Sequence, residues 1–481
     1  MKKSILYPLL VVSAAAIPIT MLTAPAKTNA QASEQTQASL SSTSVPVSSS
    51  DLEFEADDRR LLLALLERGQ AYGDPAIRQE ISKRFDKSWI APTLEVFNFI
   101  YDPTVRNHLL NELREETGQD FGTDTNRWFR WMWNETEVKA AGYDQFKADF
   151  YGRIDPKFAR YFEGRADTAR LRMDEIRWGG VRQDGIPPLR GPKMLKAADA
   201  DYLEDDNVVF GIEVNGDFRA YPKRILAWHE MFVDTVGGVD VAGVYCTLCG
   251  TVILYDTEFE GTKHALGTSG FLLRSNKLMY DKATQSLWNT LKGEPVLGPL
   301  VDKGIALNHR SVVTTTWGKW KELHPETKVL SLKTGHRRNY DEGVAYHDYF
   351  STDELMFNTP FQDSRLANKQ EVLALRFKGQ PGSIAIDTDY LKNNPVYSGA
   401  LGSQKFVVIT DETGANRVYD PGNVSLVKTN GISAKDKTGA SWKVTESKLI
   451  AEDGRELKRL PYHRAFWFGW QAAYPSTELV K

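Results

Sequence analysis

From about residue 175 onward the chain is written in strand–turn–strand units, and that pattern limits its fold more than any other feature. "NVVFGIEVNGDFRAYP" (207–222) holds a β-rich run, Asn215-Gly216 as a turn, and a second run. Asn-Gly tolerates the positive φ that a two-residue hairpin turn requires. "GGVDVAGVY" (237–245) reads as a strand and "TVILYDTEFEGTKHALGTSG" (251–270) as a hairpin turning at Glu260-Gly261. "KFVVITDETGANRVYD" (405–420) and "ASWKVTESKLIAEDGREL" (440–457) are further hairpins. "KRILAWHEMFVD" (223–234) has helical spacing, "TTTWGKWKELHP" (314–325) reads as a short helix and "KVLSLKT" (328–334) as a strand.

The region before this is different. Residues 52–165 carry apolar positions at helical spacing, as in "RRLLLALLERGQ" (59–70), with Pro75, Pro92 and Pro103 between segments of helix length. Trp128, Trp131 and Trp133 stand together in "NRWFRWMWNE", a cluster expected in a core. The predicted fold is α+β: an all-α domain over 52–170, then a mostly-β domain of hairpins and short helices over 175–479.

The N-terminus begins with Lys2 and Lys3, continues through an apolar run from Ile5 to Met21, and offers small residues at Ala24-Pro25-Ala26 and Thr28-Asn29-Ala30. This is the pattern of a secretory signal over 1–30. The Ser/Thr/Gln-rich stretch 31–51 is expected to be a disordered linker. The expected product is an exported protein of the periplasm or extracellular space, without a stable membrane span after cleavage. A net charge of −3 without a basic cluster argues against nucleic acid as a partner.

Export bears on the only two cysteines, Cys246 and Cys249, in "VYCTLCGTV". An even cysteine count in an oxidising compartment points to a disulfide. A clip closing so short a loop adds little stability to a large domain. In thioredoxin-like proteins a helix follows the motif and lowers the pKa of the first thiol. Here Gly250 and a strand follow, which is the setting of a metal knuckle. His229 falls on the apolar stripe of its predicted helix with Ile225, Leu226, Phe232 and Val233, and is either a packed core histidine or the third ligand. Two thiolates with an imidazole suit copper or zinc. Met279 offers a thioether, or simply core packing. Ser269 is not in a GxSxG elbow, since Phe271 stands where the second Gly would be.

The stretches "DGIPPL" (184–189), "NGDFRAYP" (215–222), "HEMFVD" (229–234), "VYCTLCGTV" (244–252), "GTSGFLLRSNKLMYDKATQSLW" (267–288) and "TTWGKW" (315–320), in that order, resemble the bacterial family of domain of unknown function 3179. The ending "YHRAFWFGWQAAYPSTEL" (462–479) is similar to the way its members end. The resemblance covers about 180–479. Thr247 departs from the more usual Tyr-Cys-Pro-Leu-Cys and leaves both cysteines in place. The resemblance supplies no activity. It implies that His229, Glu230, Tyr245, Cys246, Cys249, Ser269, Tyr280, Asp281, Ser286 and Trp288 belong to a shared pattern and line one candidate pocket, with Met279 beside them.

Three readings follow from the residues. The first is a copper or zinc site on Cys246, Cys249 and His229. The second is a cysteine-dependent redox enzyme outside the cytoplasm, with His229 as base and Glu230 or Asp234 orienting it. The third is a scaffold or binding protein with a structural Cys246–Cys249 clip, the helical N-terminal domain meeting a protein partner.

Overall fold

The computed structural model describes residues 52–67 and 74–481; the expected leader and linker lie outside the described residues. Seven short helices come first: α1 (Ala56–Ala64), α2 (Pro75–Arg84), α3 (Lys87–Val96), α4 (Pro103–Thr117), α5 (Thr125–Asn134), α6 (Tyr143–Gly152) and α7 (Pro156–Phe162). Asp74, Asp86, Asp102, Asp124 and Asp155 each cap the helix that follows by accepting a hydrogen bond from a first-turn N–H. Proline opens α2, α4 and α7, where a missing N–H costs nothing. The tryptophan cluster lies on α5, with Trp128 and Trp133 buried as expected. Phe158, Tyr161 and Phe162 of α7 pack against Phe271, their ring centroids 4.8, 5.9 and 5.2 Å from it. The helices therefore share a core with the hairpin that carries Phe271 and Leu278 and with the strand residues Leu287 and Leu297 that follow it.

The β-rich part contains two copies of one motif. In the first copy, β1 (Val208–Val214) and β2 (Asp217–Pro222) form a hairpin, followed by α8 (Lys223–His229). Three antiparallel strands follow: β3 (Met231–Val236), β4 (Val239–Cys246) and β5 (Thr251–Asp256). Next come β6 (Leu266–Leu273) and β7 (Asn276–Asp281), then β8 (Val313–Thr316), α9 (Trp317–Leu323) and β9 (Lys328–Leu330). β8 pairs antiparallel with β1, and β9 pairs parallel with β2. A connection containing α10 (His347–Phe350) leads to the second copy.

The second copy runs in the same order: β10 (Glu371–Leu375), β11 (Ile384–Asp387), α11 (Thr388–Asn393), β12 (Val396–Leu401), β13 (Gln404–Thr410), β14 (Asn416–Tyr419), β15 (His463–Phe466), α12 (Trp467–Ala473) and β16 (Glu478–Val480). β15 pairs antiparallel with β10, and β16 pairs parallel with β11. The β12–β13–β14 meander repeats β3–β4–β5.

Residues 307–330 and 457–480 align without a gap, matching Trp317 with Trp467, Trp320 with Trp470, Pro325 with Pro475 and Thr327 with Thr477. Each inner tryptophan donates its indole N–H to the matching threonine, both at 2.9 Å. Residues 244–256 and 408–420 also align without a gap, so Gly250 matches Gly414 and Tyr255 matches Tyr419. The copies interlock: β15 of the second lies against β5 of the first.

The α+β class is as the sequence predicts. One element ends earlier than its spacing suggests. The helix predicted over 223–234 stops at His229, because Glu230 turns left-handed (φ 54°), and Met231–Val236 continue as a strand. Among the described residues no helix is long and apolar enough to cross a membrane.

Candidate functional site

The turn between β4 and β5 carries the cysteines. Cys246 pairs across the ladder with Thr251, the chain doubles back through Thr247 and Leu248, and Cys246 and Cys249 are joined in a disulfide. Gly250 follows at φ 58°, and a Cβ there would sit 2.7 Å from the Phe466 ring. Glycine is thus needed both for the left-handed backbone and for the close approach. The Phe466 amide donates to the Cys249 carbonyl at 2.8 Å, tying the turn to the second copy.

Both cysteines are buried, at 2 % and 1 % exposure. Leu272, Phe466 and Phe468 enclose them with Tyr349, and Tyr346, Phe350, Leu355 and Phe357 pack on that group. Five of these, Tyr346, Tyr349, Phe350, Leu355 and Phe357, come from the connection around α10, which forms a strap over the disulfide. The Tyr349 hydroxyl donates to the Leu248 carbonyl at 2.7 Å, and Lys369 Nζ lies 3.5 Å from the Tyr349 ring centroid.

A buried ion pair lies at the root of the hairpin. Lys277 Nζ is 3.4 Å from the Glu230 carboxylate and donates to the Glu230 carbonyl at 2.8 Å. That carbonyl also accepts from the Tyr245 amide at 2.8 Å, one residue before Cys246. Burial pushes the Lys277 ammonium below its ordinary value, and Glu230 opposes the shift. Asn276, next to Lys277, donates to the Gly469 carbonyl at 3.0 Å while its own carbonyl oxygen has no protein partner. A Cβ on Gly469 would sit 2.8 Å from the Cys249 Cβ and 3.2 Å from that oxygen, so the glycine lets Asn276 and Cys249 approach.

The ligand set expected from the sequence is not assembled. The two sulfurs are bonded to each other, and the His229 ring is committed elsewhere. Its Nδ1 donates to the Pro187 carbonyl at 2.8 Å, so Nε2 accepts from the Tyr340 hydroxyl at 2.6 Å. This is a neutral imidazole, and burial lowers its pKa to about 4. Among the described residues no group of three or more His, Cys, Asp or Glu side chains is placed to hold a metal ion. His229 is inward, as its spacing predicts, but it bridges the 184–189 segment to the strap.

The other expected pocket residues divide. Glu230 and Tyr245 lie at the disulfide's root. Ser269 sits at a bulge in β6, donating to the Leu278 carbonyl at 2.6 Å and accepting from the Phe271 amide at 3.0 Å, a saturated structural role. Met279 is fully buried in a hydrophobic cluster with Trp288. The Tyr280 hydroxyl donates to Asp184 at 2.8 Å. Asp281 holds the next turn by accepting from the Ala283 and Thr284 amides, and Ser286 accepts from Thr284 within it. One pocket does not gather all ten residues, because alternate positions of β6 and β7 face opposite sides of the sheet. The sequence reading missed Lys277, Asn276 and the aromatic strap. The one local signal was a lysine inside the apolar run "NKLMYD".

The family model described as "Protein of unknown function (DUF3179)" matches residues 183–477, and the chain belongs to that family. No curated protein and no solved structure matches the chain.

Proposed function

We propose that the Cys246–Cys249 pair is a redox centre that works by thiol–disulfide exchange outside the cytoplasm. The observation that carries this reading is the matching turn of the second copy, which closes with no cysteine. There Thr410 and Thr413 stand in the cysteine positions, and Asp411 accepts from the Thr413 amide at 2.9 Å, the Thr413 hydroxyl at 2.6 Å and the Ala415 amide at 3.0 Å. Backbone bonds from the Asp411 and Gly414 amides, at 3.0 and 2.9 Å, complete the turn, so the fold makes this hairpin without a disulfide.

The chemistry balances as an exchange. A thiolate of an external dithiol attacks one sulfur, the Cys246–Cys249 bond breaks, and the other sulfur leaves as a thiolate. The donor's second thiol then releases the mixed disulfide, so the donor is oxidised by two electrons and both cysteines end as thiols. The leaving thiolate takes a proton. Lys277, its pKa depressed by burial and its charge matched by Glu230, is the group suited to supply it. The strap bonded through Tyr349 must open for the donor to reach sulfur.

The test is the reduction potential of the exported, full-length protein equilibrated with dithiol buffers. Catalytic disulfides fall between about −120 and −270 mV, and structural ones below about −300 mV. A value below that limit would sink the reading and leave a structural clip. On the reduced protein, one equivalent of bound copper or zinc that is lost in Cys246→Ser would instead make the thiolates metal ligands.

A further inference from the structure

A second cluster of polar groups lies apart from the disulfide, and the argument for it is independent of the redox reading. His463 of β15 is 1 % exposed, and neither of its ring nitrogens meets a protein hydrogen-bond partner. His309, paired beside Tyr255 of β5, has an unpartnered Nε2, and the two imidazole centroids are 6.4 Å apart. Arg376, just after β10, donates through one terminal nitrogen to the Leu291 and Lys292 carbonyls at 2.8 and 3.0 Å, while its Nε is unpartnered. The Tyr474 hydroxyl, at the end of α12, is unpartnered too. The Arg376 charge acts on His309, His463 and Tyr474 alike. Glu294 is the acidic group that faces Tyr474 and Tyr255, and it makes no ion pair with Arg376 within 4.0 Å.

The second copy shows what occupies the matching place. The Tyr255 hydroxyl donates to the Thr290 carbonyl at 2.7 Å, and its counterpart Tyr419 donates to the Thr445 carbonyl at 2.6 Å. The residue after Thr445 is Glu446, and the residue after Thr290 is Leu291. The Glu446 carboxylate is buried among Arg417 (2.7 Å), Arg459 (3.4 Å) and His324 (3.4 Å). Arg459 matches His309, and His324 matches Tyr474, in the gapless alignment. The first copy thus keeps hydrogen-bonding groups, His309 and Tyr474, at two of the three positions around the carboxylate, has Ile253 in place of Arg417, and draws its one charge from Arg376 instead; the internal carboxylate is present in one copy.

We propose that His309, Arg376, His463 and Tyr474 form a site for a small inorganic anion of the halide class, beside Leu291, the residue that matches Glu446 of the second copy. These groups present N–H and O–H donors around one guanidinium charge, and an anion accepts from all of them. Arg376 is half-buried, and leaving its buried Nε without a partner is unfavourable. A cation would face that same charge. Without the anion, burial and then Arg376 hold His309 neutral, at about 3, while burial, the neighbouring His309 and Arg376 hold His463 well below its ordinary value.

The test uses the exported full-length protein, purified in gluconate buffer. Bromide or chloride should raise the melting temperature by several degrees, saturably, and bromide-soaked crystals should show an anomalous peak within hydrogen-bond distance of Arg376 Nε. Arg376→Met should lose the halide-dependent shift, and Leu291→Glu, which restores the internal carboxylate, should melt independently of halide. A bromide map with peaks only on the surface, and water between His309 and His463, would overturn the proposal whether or not either variant folds.

Discussion

The two copies of the β motif put different chemistry on one scaffold. Both bend a hairpin around a left-handed glycine, Gly250 or Gly414, and both brace a short helix with a tryptophan–threonine hydrogen bond. At the hairpin tip the first copy has a disulfide under an aromatic strap, and the second has an aspartate-centred turn. Beneath the sheet the second copy buries a closed ionic network of Asp411, Arg417, Glu446 and Arg459, where the first buries neutral imidazoles and Leu291. The backbone frame tolerates these exchanges because its pairing, turns and tryptophan anchors are set elsewhere. The cysteines are therefore an addition to a frame that closes without them.

The comparison can be broken most severely at Arg417. Arg417→Met leaves Glu446 and Asp411 buried without their main partner, and removing one member of a buried pair costs about 3–5 kcal/mol. Urea denaturation of the full chain should show this loss. Trp320→Ala and Trp470→Ala should each cost about 3–5 kcal/mol, and values that differ widely between them would argue against equivalent anchors. Replacing both Cys246 and Cys249 by Ser removes only a short loop constraint, about 2 kcal/mol by chain-entropy reasoning. That variant should fold, with unchanged far-ultraviolet circular dichroism, and lose all exchange activity. Tyr349→Phe deletes one hydrogen bond to the hairpin, about 1 kcal/mol. Its measurable sign is faster reduction of the disulfide by dithiothreitol as the strap loosens.

Acid should also separate the copies. His229, in the first, stays neutral when folded down to about pH 4 but takes a proton in the unfolded chain from its ordinary value near 6.5. Between those values the unfolded state binds more protons, so stability falls as pH drops through that window. His229→Phe should flatten this slope. Glu446, in the second, is pushed up by burial but held far below its ordinary carboxylate value by the Arg417 charge, the His324 hydrogen bond and the Arg459 charge. Its contribution is fully present above that ordinary value and is lost only as pH falls below it, which a stability–pH profile of Glu446→Gln would isolate.

Much of the frame was legible in the residues. Asn215-Gly216 marked its hairpin, Pro75 and Pro103 marked helix starts, and the strand after Gly250 set the cysteine motif apart from one that opens a helix; Pro92, expected between helical segments, lies inside α3 instead. The inward orientation of His229 followed from its spacing. Its partners did not, because Pro187 and Tyr340 are distant in sequence and belong to irregular segments without a periodic signal. The end of α8 was hidden because Glu230 leaves the helix without glycine or proline to announce it. The duplication escaped notice because few identical residues survive, and the pairing pattern that reveals it exists only in the folded sheets.

By itself, the sequence determined the α+β order of elements, the positions of turns and caps, and the closeness of Cys246 to Cys249. These are local consequences of backbone preference, side-chain period and a short loop. Only the tertiary structure decided that the cysteines are buried under Tyr349 and Phe466, that Lys277 meets Glu230, and that Leu291 stands where Glu446 stands in the other copy. Those facts depend on packing between segments far apart in the chain. A residue's charge, burial and partner are properties of that packing, which no local pattern specifies.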